Sequence, residues 1–470
     1  MKFYSNLENF KNNLALIDSE NTKFTYLELI EKAKILSKKF EKRSLILILM
    51  DNDLESVVSL IAADISNSVL MLIDKSINLI ALENLIKTYE PKLIFLNKLN
   101  KKNLKGYSLV SEFYNYELVK KDNFSNNLIE NDELFLLQTT SGSTGSPKNV
   151  KLSFKNLISN TQSIINALNI TEKETAITTL PPSYVYGLSI INTHLKSGAK
   201  IVLNKNSVIE REFWDRIKNN KVTNFGGVPY TYELLIRIGL NKDNFKTINF
   251  TTQAGGYLDK NSKKRILEFY DRHKKTFFVM YGAAEATARM TCINSKFLKT
   301  KIESIGKPII NGKLSIQNEN GKEILETGKK GELVYEGENI FIGYANSYAD
   351  LNINKKVLRL KTGDIGFKDN EGYFYISGKK SRYVKVYGHR VNLDDIEKII
   401  NFYGVRSVCV QNKKDTIHVY INKKNNKKEI QKKISDYTSL NINSFKIKYV
   451  KSFPLNKNMK IDYENKIFKI

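Results

Sequence analysis

Between residues 25 and 100 the hydrophobic positions follow two alternating spacings. TYLELIEKAKILSKKF, 25–40, carries its apolar residues at helical period, whereas SLILILM at 44–50 and KLIFL at 92–96 are short and apolar throughout. Short apolar runs between amphipathic helices predict parallel strands covered on both faces, which is the texture of an α/β fold. The pattern resumes after residue 133, with AITTL at 176–180, AKIVL at 199–203 and TFFVMY at 276–281 as further strands. From about 301 it changes: KLSIQNENGKEI, GELVYEG and GYFYISG read as strands joined by Asn-Gly and Glu-Gly turns, predicting a smaller antiparallel or barrel-like section. A charged stretch after Gly378, KKSRYVK, leads into a Lys-rich α/β tail, so the expected domains are 1–380 and 381–470.

Length and composition agree with a folded core. The 470 residues are 41% hydrophobic and 11% aromatic, with only 7 Pro and 24 Gly, which excludes collagen-like or low-complexity sequence. Lys and Arg exceed Asp and Glu by 75 to 49, a formal charge of +26. The Lys is spread from end to end, and the densest cluster, KKNNKKE at 423–429, reads as a solvated loop. Anionic small ligands or an acidic protein partner suit this field, and no nucleic acid is expected. Cys292 and Cys409 are the only cysteines, beside four His, so neither a disulfide framework nor a Cys/His zinc site can be built. The start, MKFYSNLENFKNN, has no apolar segment, and no apolar run reaches the roughly 18 residues of a membrane span; the expected location is the cytoplasm.

The segment richest in chemistry is LLQTTSGSTGSPK, 136–148, an apolar run that ends in a Gly, Ser and Thr cluster. Gly142 and Gly145 let backbone N–H groups approach an anion, Ser141, Ser143 and Thr144 add hydroxyl donors, and Lys148 adds charge. A Walker A motif cannot be laid on it. By composition alone it is an anion-binding loop or a flexible turn.

In order and identity the stretch Thr140–Lys148 resembles the phosphate loop of the AMP-forming adenylating superfamily, which holds acyl-CoA synthetases, peptide-synthetase adenylation domains and firefly-type luciferases. Further motifs follow in the family's order, over roughly residues 20 to 465. QAGGYL at 253–258 resembles the glycine strand end, which implies that Ala254, Gly255 and Gly256 lie against adenine. YGAAE at 281–285 is similar to the motif in which Tyr281 stacks on the base, Gly282 and Ala284 line the nucleotide, and Glu285 holds Mg²⁺; the family's usual Thr is Ala284 here. TGD at 362–364 implies that Asp364 binds the ribose hydroxyls, for which two acceptor oxygens are suited.

GYFYISGKKSRYVKVYGHR, 372–390, is similar to the hinge motif GRxDDxIKxxGxR. Lys379 replaces the usual Arg, and Ser381 and Arg382 replace two acidic residues, while Lys385, Gly388 and Arg390 conform; Arg390 and Lys379 are expected to reach the nucleotide. FPLNKNMKIDY at 453–463 resembles the final motif and puts the catalytic lysine at Lys460, with Met459 where Gly is usual. LPPSYVYGLSIINTHLKSGAKIVL, 180–203, resembles the acyl-pocket stretch. Peptide synthetases carry there an Asp for the substrate ammonium, and the matching residue is Gly187, which favours a plain carboxylic acid; Tyr184 is either a gate of the pocket or a core residue.

The resemblance implies a large N-terminal portion of two doubly wound sheets plus a distorted β-barrel, then a small mobile C-terminal α/β domain. It implies ATP and Mg²⁺ as cofactors, an acyl-adenylate intermediate, and CoA or the phosphopantetheine arm of an acidic acyl carrier protein as thiol acceptor, received on the face near Gly388. The rival readings are an amino-acid-activating enzyme and, given Ala284, Ser381 and Met459, a degenerate nucleotide-binding regulator.

Overall fold

The computed structural model describes residues 2–98, 104–123, 128–139, 149–387, 389–413, 415–423, 427–438, 440–456, 461–463 and 465–468. By its contacts the chain divides into two compact units, one of residues 1–313 and 336–360, the other of 314–335 and 361–470.

The first unit holds two α/β sheets. In one, the apolar runs form parallel neighbours: Leu45–Met50 lies between Val69–Asp74 and Leu93–Asn97, and Val69–Asp74 pairs onward with Leu134–Thr139. Antiparallel strands Tyr116–Lys121 and Tyr107–Phe113 extend one edge, Asn149–Ser153 and Tyr344–Ala345 the other. Every side chain of Leu45–Met50 is buried, as a central strand with covered faces requires. The helices are started by local chemistry. Thr25 and Glu28 form a capping box on Tyr26–Ser37, and the Asp53 carboxylate accepts from the Ser56 amide at 3.0 Å at the head of Leu54–Ser66.

The other sheet contains six parallel strands in the spatial order Leu14–Ile17, Lys200–Val202, Thr175–Ile177, Asn224–Gly227, Phe250–Gln253 and Thr276–Tyr281. Thr291–Asn294 and then Ser304–Pro308 add antiparallel strands beyond Tyr281. In a sheet of this kind ligands bind beyond the carboxyl ends of the parallel strands. There Gly227 pairs with Gln253 and Gln253 with Val279, so the register sets the QAGG and YGAA turns side by side although 25 residues of chain separate the paired positions.

In the second unit Leu360–Lys368 pairs antiparallel with Phe374–Lys379, and the strand order from Gly312–Gln317 through Gly331–Gly337 to these two is open among the described residues. A hairpin of Tyr383–Val386 and His389–Asn392 follows. The tail packs helices Leu393–Phe402 and Lys427–Thr438 on a sheet of Ser407–Lys413, Thr416–Ile421 and Phe445–Tyr449, over a core that includes Ile396, Ile400, Val419 and Ile434. The α/β texture, the change to antiparallel strands after 301 and the α/β tail are as the sequence predicts. Among the described residues no helix is long and apolar enough to cross a membrane.

Candidate active site

After Gln253 the chain turns through Ala254 and Gly255. Gly255 has φ +83°, a conformation that favours glycine, and a Cβ on it would stand 2.6 Å from the Tyr184 Oη. Tyr184, at the head of the helix Val185–Lys196, thus closes against the glycine turn. Burial raises its phenol pKa and Arg289 opposes that rise, so it stands as a neutral hydroxyl. Gln253 Nε2 donates to the Gly256 carbonyl at 2.9 Å and fixes the turn from within.

The next strand, Thr276–Tyr281, runs into a tight reversal over 282–289. A Cβ on Gly282 would overlap the Ala288 carbonyl, so the two ends of the reversal touch. Ala284–Ala286 make a 3₁₀ turn, Thr287 has φ 55° and Ala288 has φ 125°. Positive φ at an alanine persists only where the surroundings hold it. They do so through two buried asparagines: Asn339 Nδ2 donates to the carbonyls of Ala286 (2.8 Å) and Arg289 (3.0 Å), and Asn160 Nδ2 donates to Arg289 O at 2.8 Å. Thr287 Oγ1 donates to the Asn339 carbonyl at 2.6 Å. The reversal leaves Glu285 in reach of Tyr344, whose hydroxyl donates to its Oε1 at 2.9 Å, while the Glu285 carbonyl accepts from the Phe341 amide at 2.9 Å. Among the described residues no group of three or more His, Cys, Asp or Glu could hold a metal ion. One carboxylate is still what Mg²⁺ takes from a protein when phosphates supply further oxygens.

Gly187 lies in the first turn of its helix, where a Cβ would stand 2.7 Å from the Leu180 carbonyl oxygen and closer still to that of Pro181. It is a packing glycine against backbone. The cavity beside it is lined instead by Tyr186, Ser189 and Ile190 of that helix, with Thr252, Met280 and Arg289.

Further motif residues lie in the second unit. Gly363, at φ +73°, precedes Asp364, whose amide donates to Thr362 Oγ1 at 3.1 Å and which is registered opposite Lys379. Lys379 is exposed and its amide donates to Asp394 Oδ2 at 2.9 Å. Ser381 is exposed. Arg382 is held by Asp394 (Nε to Oδ1, 2.8 Å), by the Cys409 carbonyl (2.6 Å) and by Glu397, and its guanidinium lies 4.8 Å from the Tyr463 ring. Arg382 thus draws its partner acids from the helix 393–402. Thr140–Lys148, Gly388 and Lys460 lie outside the described residues, and so does the side chain of Arg390.

Compared with known families, the chain matches the profile of the AMP-binding enzyme family over residues 3–345. It belongs to the AMP-binding enzymes. Among curated relatives of that family it is 25% identical over 271 residues to a 2-succinylbenzoate–CoA ligase of Bacillus subtilis, covering 57% of this chain and 54% of the relative. It is 30% identical over 257 residues to the acyl-CoA ligase sidI of Aspergillus fumigatus, covering 52% and 42%. The chain thus spans about half the length of these curated relatives. Among solved structures, the o-succinylbenzoate CoA synthetase of Bacillus subtilis with its acyl-adenylate intermediate superposes with TM-score 0.78 at 20% identity, covering 98% of this chain and 97% of that one. ATP-bound MatB of Rhodopseudomonas palustris gives 0.80 at 18%, covering all of both chains. These likenesses carry the two α/β sheets and the α/β tail as a fold.

Asn160, Asn339, Tyr344 and Arg289 were not visible as site residues in the sequence. In a chain so rich in Asn a clamp asparagine carries no local mark. Arg289 has one weak signal, a lone basic residue within ATARMTCI, 286–293.

Proposed function

We propose that this chain is an ATP-dependent, AMP-forming carboxylate–thiol ligase. A substrate carboxylate oxygen attacks the α-phosphorus of ATP, the bond to the β-phosphate oxygen breaks, and pyrophosphate leaves. A thiolate then attacks the carbonyl carbon of the acyl-adenylate, a thioester forms, and AMP leaves. The observation that carries the reading is the clamped reversal 281–289, which presents Tyr281 and Glu285 at the carboxyl edge of the parallel sheet in a chain of the AMP-binding family. There Tyr281 would stand beside the base, the turn at Gly255 would bring backbone alongside it, and Glu285 would hold Mg²⁺ against the phosphates. Bound there, Mg²⁺ would neutralise charge on the departing pyrophosphate. By its motif Lys460 supplies a mobile ammonium where charge develops at the α-phosphate, where such help is most valuable. Thr140–Lys148 donates backbone N–H groups to the phosphates, Asp364 takes the ribose hydroxyls, and Arg390 and Lys379 reach the nucleotide.

The acid is a plain carboxylic acid, because among the described residues no carboxylate lines the cavity beside this helix to pair an ammonium. CoA and a carrier-bound phosphopantetheine are both suitable acceptors, and the +26 charge favours the acidic carrier by steering. Its ATP and thiol acceptor are both cytoplasmic metabolites or proteins, and the proposed place of action is the cytoplasm. The amino-acid reading keeps one support, 26% identity over 286 residues to a D-alanine–D-alanyl carrier protein ligase of Bacillus licheniformis. A pyrophosphate-release screen over plain, hydroxy, aromatic and amino acids, with and without CoA, tests both. Turnover of an amino acid with none for its deaminated analogue overturns the plain-acid reading. MgATP that leaves thermal melting unchanged overturns the ligase reading itself.

A further inference from the structure

Glu285 is bound at both ends by one short segment of chain. Its carbonyl accepts from the Phe341 amide at 2.9 Å, and its Oε1 accepts from the Tyr344 hydroxyl at 2.9 Å. Among the described residues Tyr344 is the only hydrogen-bond donor to that carboxylate. Glu285 is half-buried and Tyr344 is 39% exposed, so the pair lies where a nucleotide and its metal can reach it.

The tyrosine is itself placed by the backbone. Tyr344–Ala345 pairs antiparallel with Asn149–Ser153, Tyr344 opposite Val150 and Ala345 opposite Asn149. The ladder continues beside it: the Ile342 amide donates to the Lys151 carbonyl at 3.0 Å, and the Lys151 amide to the Gly343 carbonyl at 2.9 Å. Gly343 has φ +107°, a conformation that favours glycine, and the bend there brings the Phe341 amide and the Tyr344 hydroxyl onto the same residue. The buried Phe341 ring meets the Tyr344 ring edge to face at 4.8 Å and fixes its plane. Tyr89 Oη donates to the Ala345 carbonyl at 2.7 Å and anchors the strand end. Asn149 follows Lys148 directly in sequence, so the strand that carries Tyr344 is paired to the first residues after the Thr140–Lys148 motif.

We propose that Tyr344 is the positioning residue of the Glu285 carboxylate, and that by holding Oε1 it leaves one oxygen, Oε2, for the divalent cation and so selects Mg²⁺ against Ca²⁺. This rests on the reading of Glu285 as the metal ligand and adds the residue that sets the ligand's geometry. The donor set fits the metal, because a carboxylate oxygen is a hard ligand and the nucleotide's phosphates supply others. Mg²⁺ demands near-octahedral ligands at about 2.0–2.1 Å, which a carboxylate meets with one oxygen. Ca²⁺ takes about six to eight oxygens at about 2.3–2.6 Å and is served by a carboxylate that offers both. A phenol O–H on Oε1 competes with that two-oxygen mode. It also orders the side chain in advance, which lessens the freedom lost when the metal binds.

The test uses the full chain in thermal melting, titrated with ATP in excess Mg²⁺, in excess Ca²⁺ or in EDTA, and in pyrophosphate exchange. The unaltered protein should bind MgATP more tightly than CaATP. Tyr344→Phe keeps the ring against Phe341, so its unliganded melting should stay near that of the unaltered protein. It should weaken MgATP by about tenfold, the low end for a group that hydrogen-bonds a metal ligand, and CaATP by less than about threefold, with ATP in EDTA unchanged. In exchange with MgATP the loss should fall on KM, with kcat kept within a few-fold. A variant that preserves the ratio of MgATP to CaATP affinity overturns the proposal, and so does equal affinity for the two complexes in the unaltered protein. Equal weakening of all three nucleotide forms makes Tyr344 a packing residue and overturns it as well. Glu285→Gln separates the proposal from the reading beneath it, since it should remove the advantage of MgATP over ATP in EDTA. If that advantage survives, Glu285 is not the ligand and the proposal falls with that reading. If it is lost while Tyr344→Phe changes nothing, only the role of Tyr344 falls.

Discussion

Replacing Asn339 by Ala tests whether the reversal 282–289 is held from outside. Asn339 is 2% exposed and its amide donates to the carbonyls of Ala286 and Arg289 at 2.8 and 3.0 Å. The Thr287 hydroxyl bonds to the Asn339 backbone and survives the change. Two neutral hydrogen bonds are worth about 1 kcal/mol each. Arg289 O keeps the Asn160 donor, so the Ala286 carbonyl bears most of the extra desolvation, a further cost of about 1–2 kcal/mol. The sum is about 3 kcal/mol, near a hundredfold in a folding equilibrium. Trp214 is the chain's single tryptophan and lies in the first unit, as Asn339 does, so its fluorescence in a urea titration reads the unit concerned. The expected result is a lowered midpoint at unchanged slope, with acyl-adenylate formation falling further than stability alone explains, because Glu285 and Arg289 lose their fixed backbone. Asn160→Ala should cost a similar amount, since Asn339 still holds Arg289 O but the Arg289 amide loses its acceptor, Asn160 Oδ1, at 3.4 Å. A midpoint within about 0.5 kcal/mol of the unaltered protein together with full activity would refute the clamp.

Lys460→Ala should abolish adenylate formation and spare thioester formation from a synthetic acyl-adenylate; equal loss of both in paired assays would assign the role elsewhere. Gly187→Ala should cost about 2 kcal/mol or more, because its Cβ meets the backbone of Leu180 and Pro181, and Gly187→Asp should lose stability before any change of substrate preference, both read by urea midpoints. Lys263 is 3% exposed, its ammonium donates to the Ile302 carbonyl at 3.1 Å, and burial brings its pKa down to about 8, with Glu303 and Asp259 opposing. The unfolded chain therefore binds more protons between about pH 8 and 10.4, so stability rises with pH across that window, by on the order of 2–3 kcal/mol from this group. The stability of the unaltered protein relative to Lys263→Met should climb by that amount from pH 7.5 to 10.5, and a flat difference would mean that Lys263 titrates normally.

The sequence by itself determined the fold class and the main motifs. Short apolar runs such as Leu45–Met50, alternating with amphipathic helices, call for strands covered on both faces, Thr25 with Glu28 and Asp53 with Ser56 start helices by bonds between near neighbours, and the Gly-rich turns at 255 and 282 mark where backbone must come close. All of these act over a few residues and so are written in local order. Tertiary structure decided what the motif residues meet. The register of two parallel strands brought the QAGG and YGAA turns together, packing against Leu180 and Pro181 made Gly187 a spacer rather than an absent acid, and carbonyls from a distant turn drew Asn339 into the site. Arg289 makes the division sharpest. Along the chain it is one of 75 basic residues, and only the fold buries it against the Tyr186 ring, with the guanidinium 3.7 Å from the ring centre.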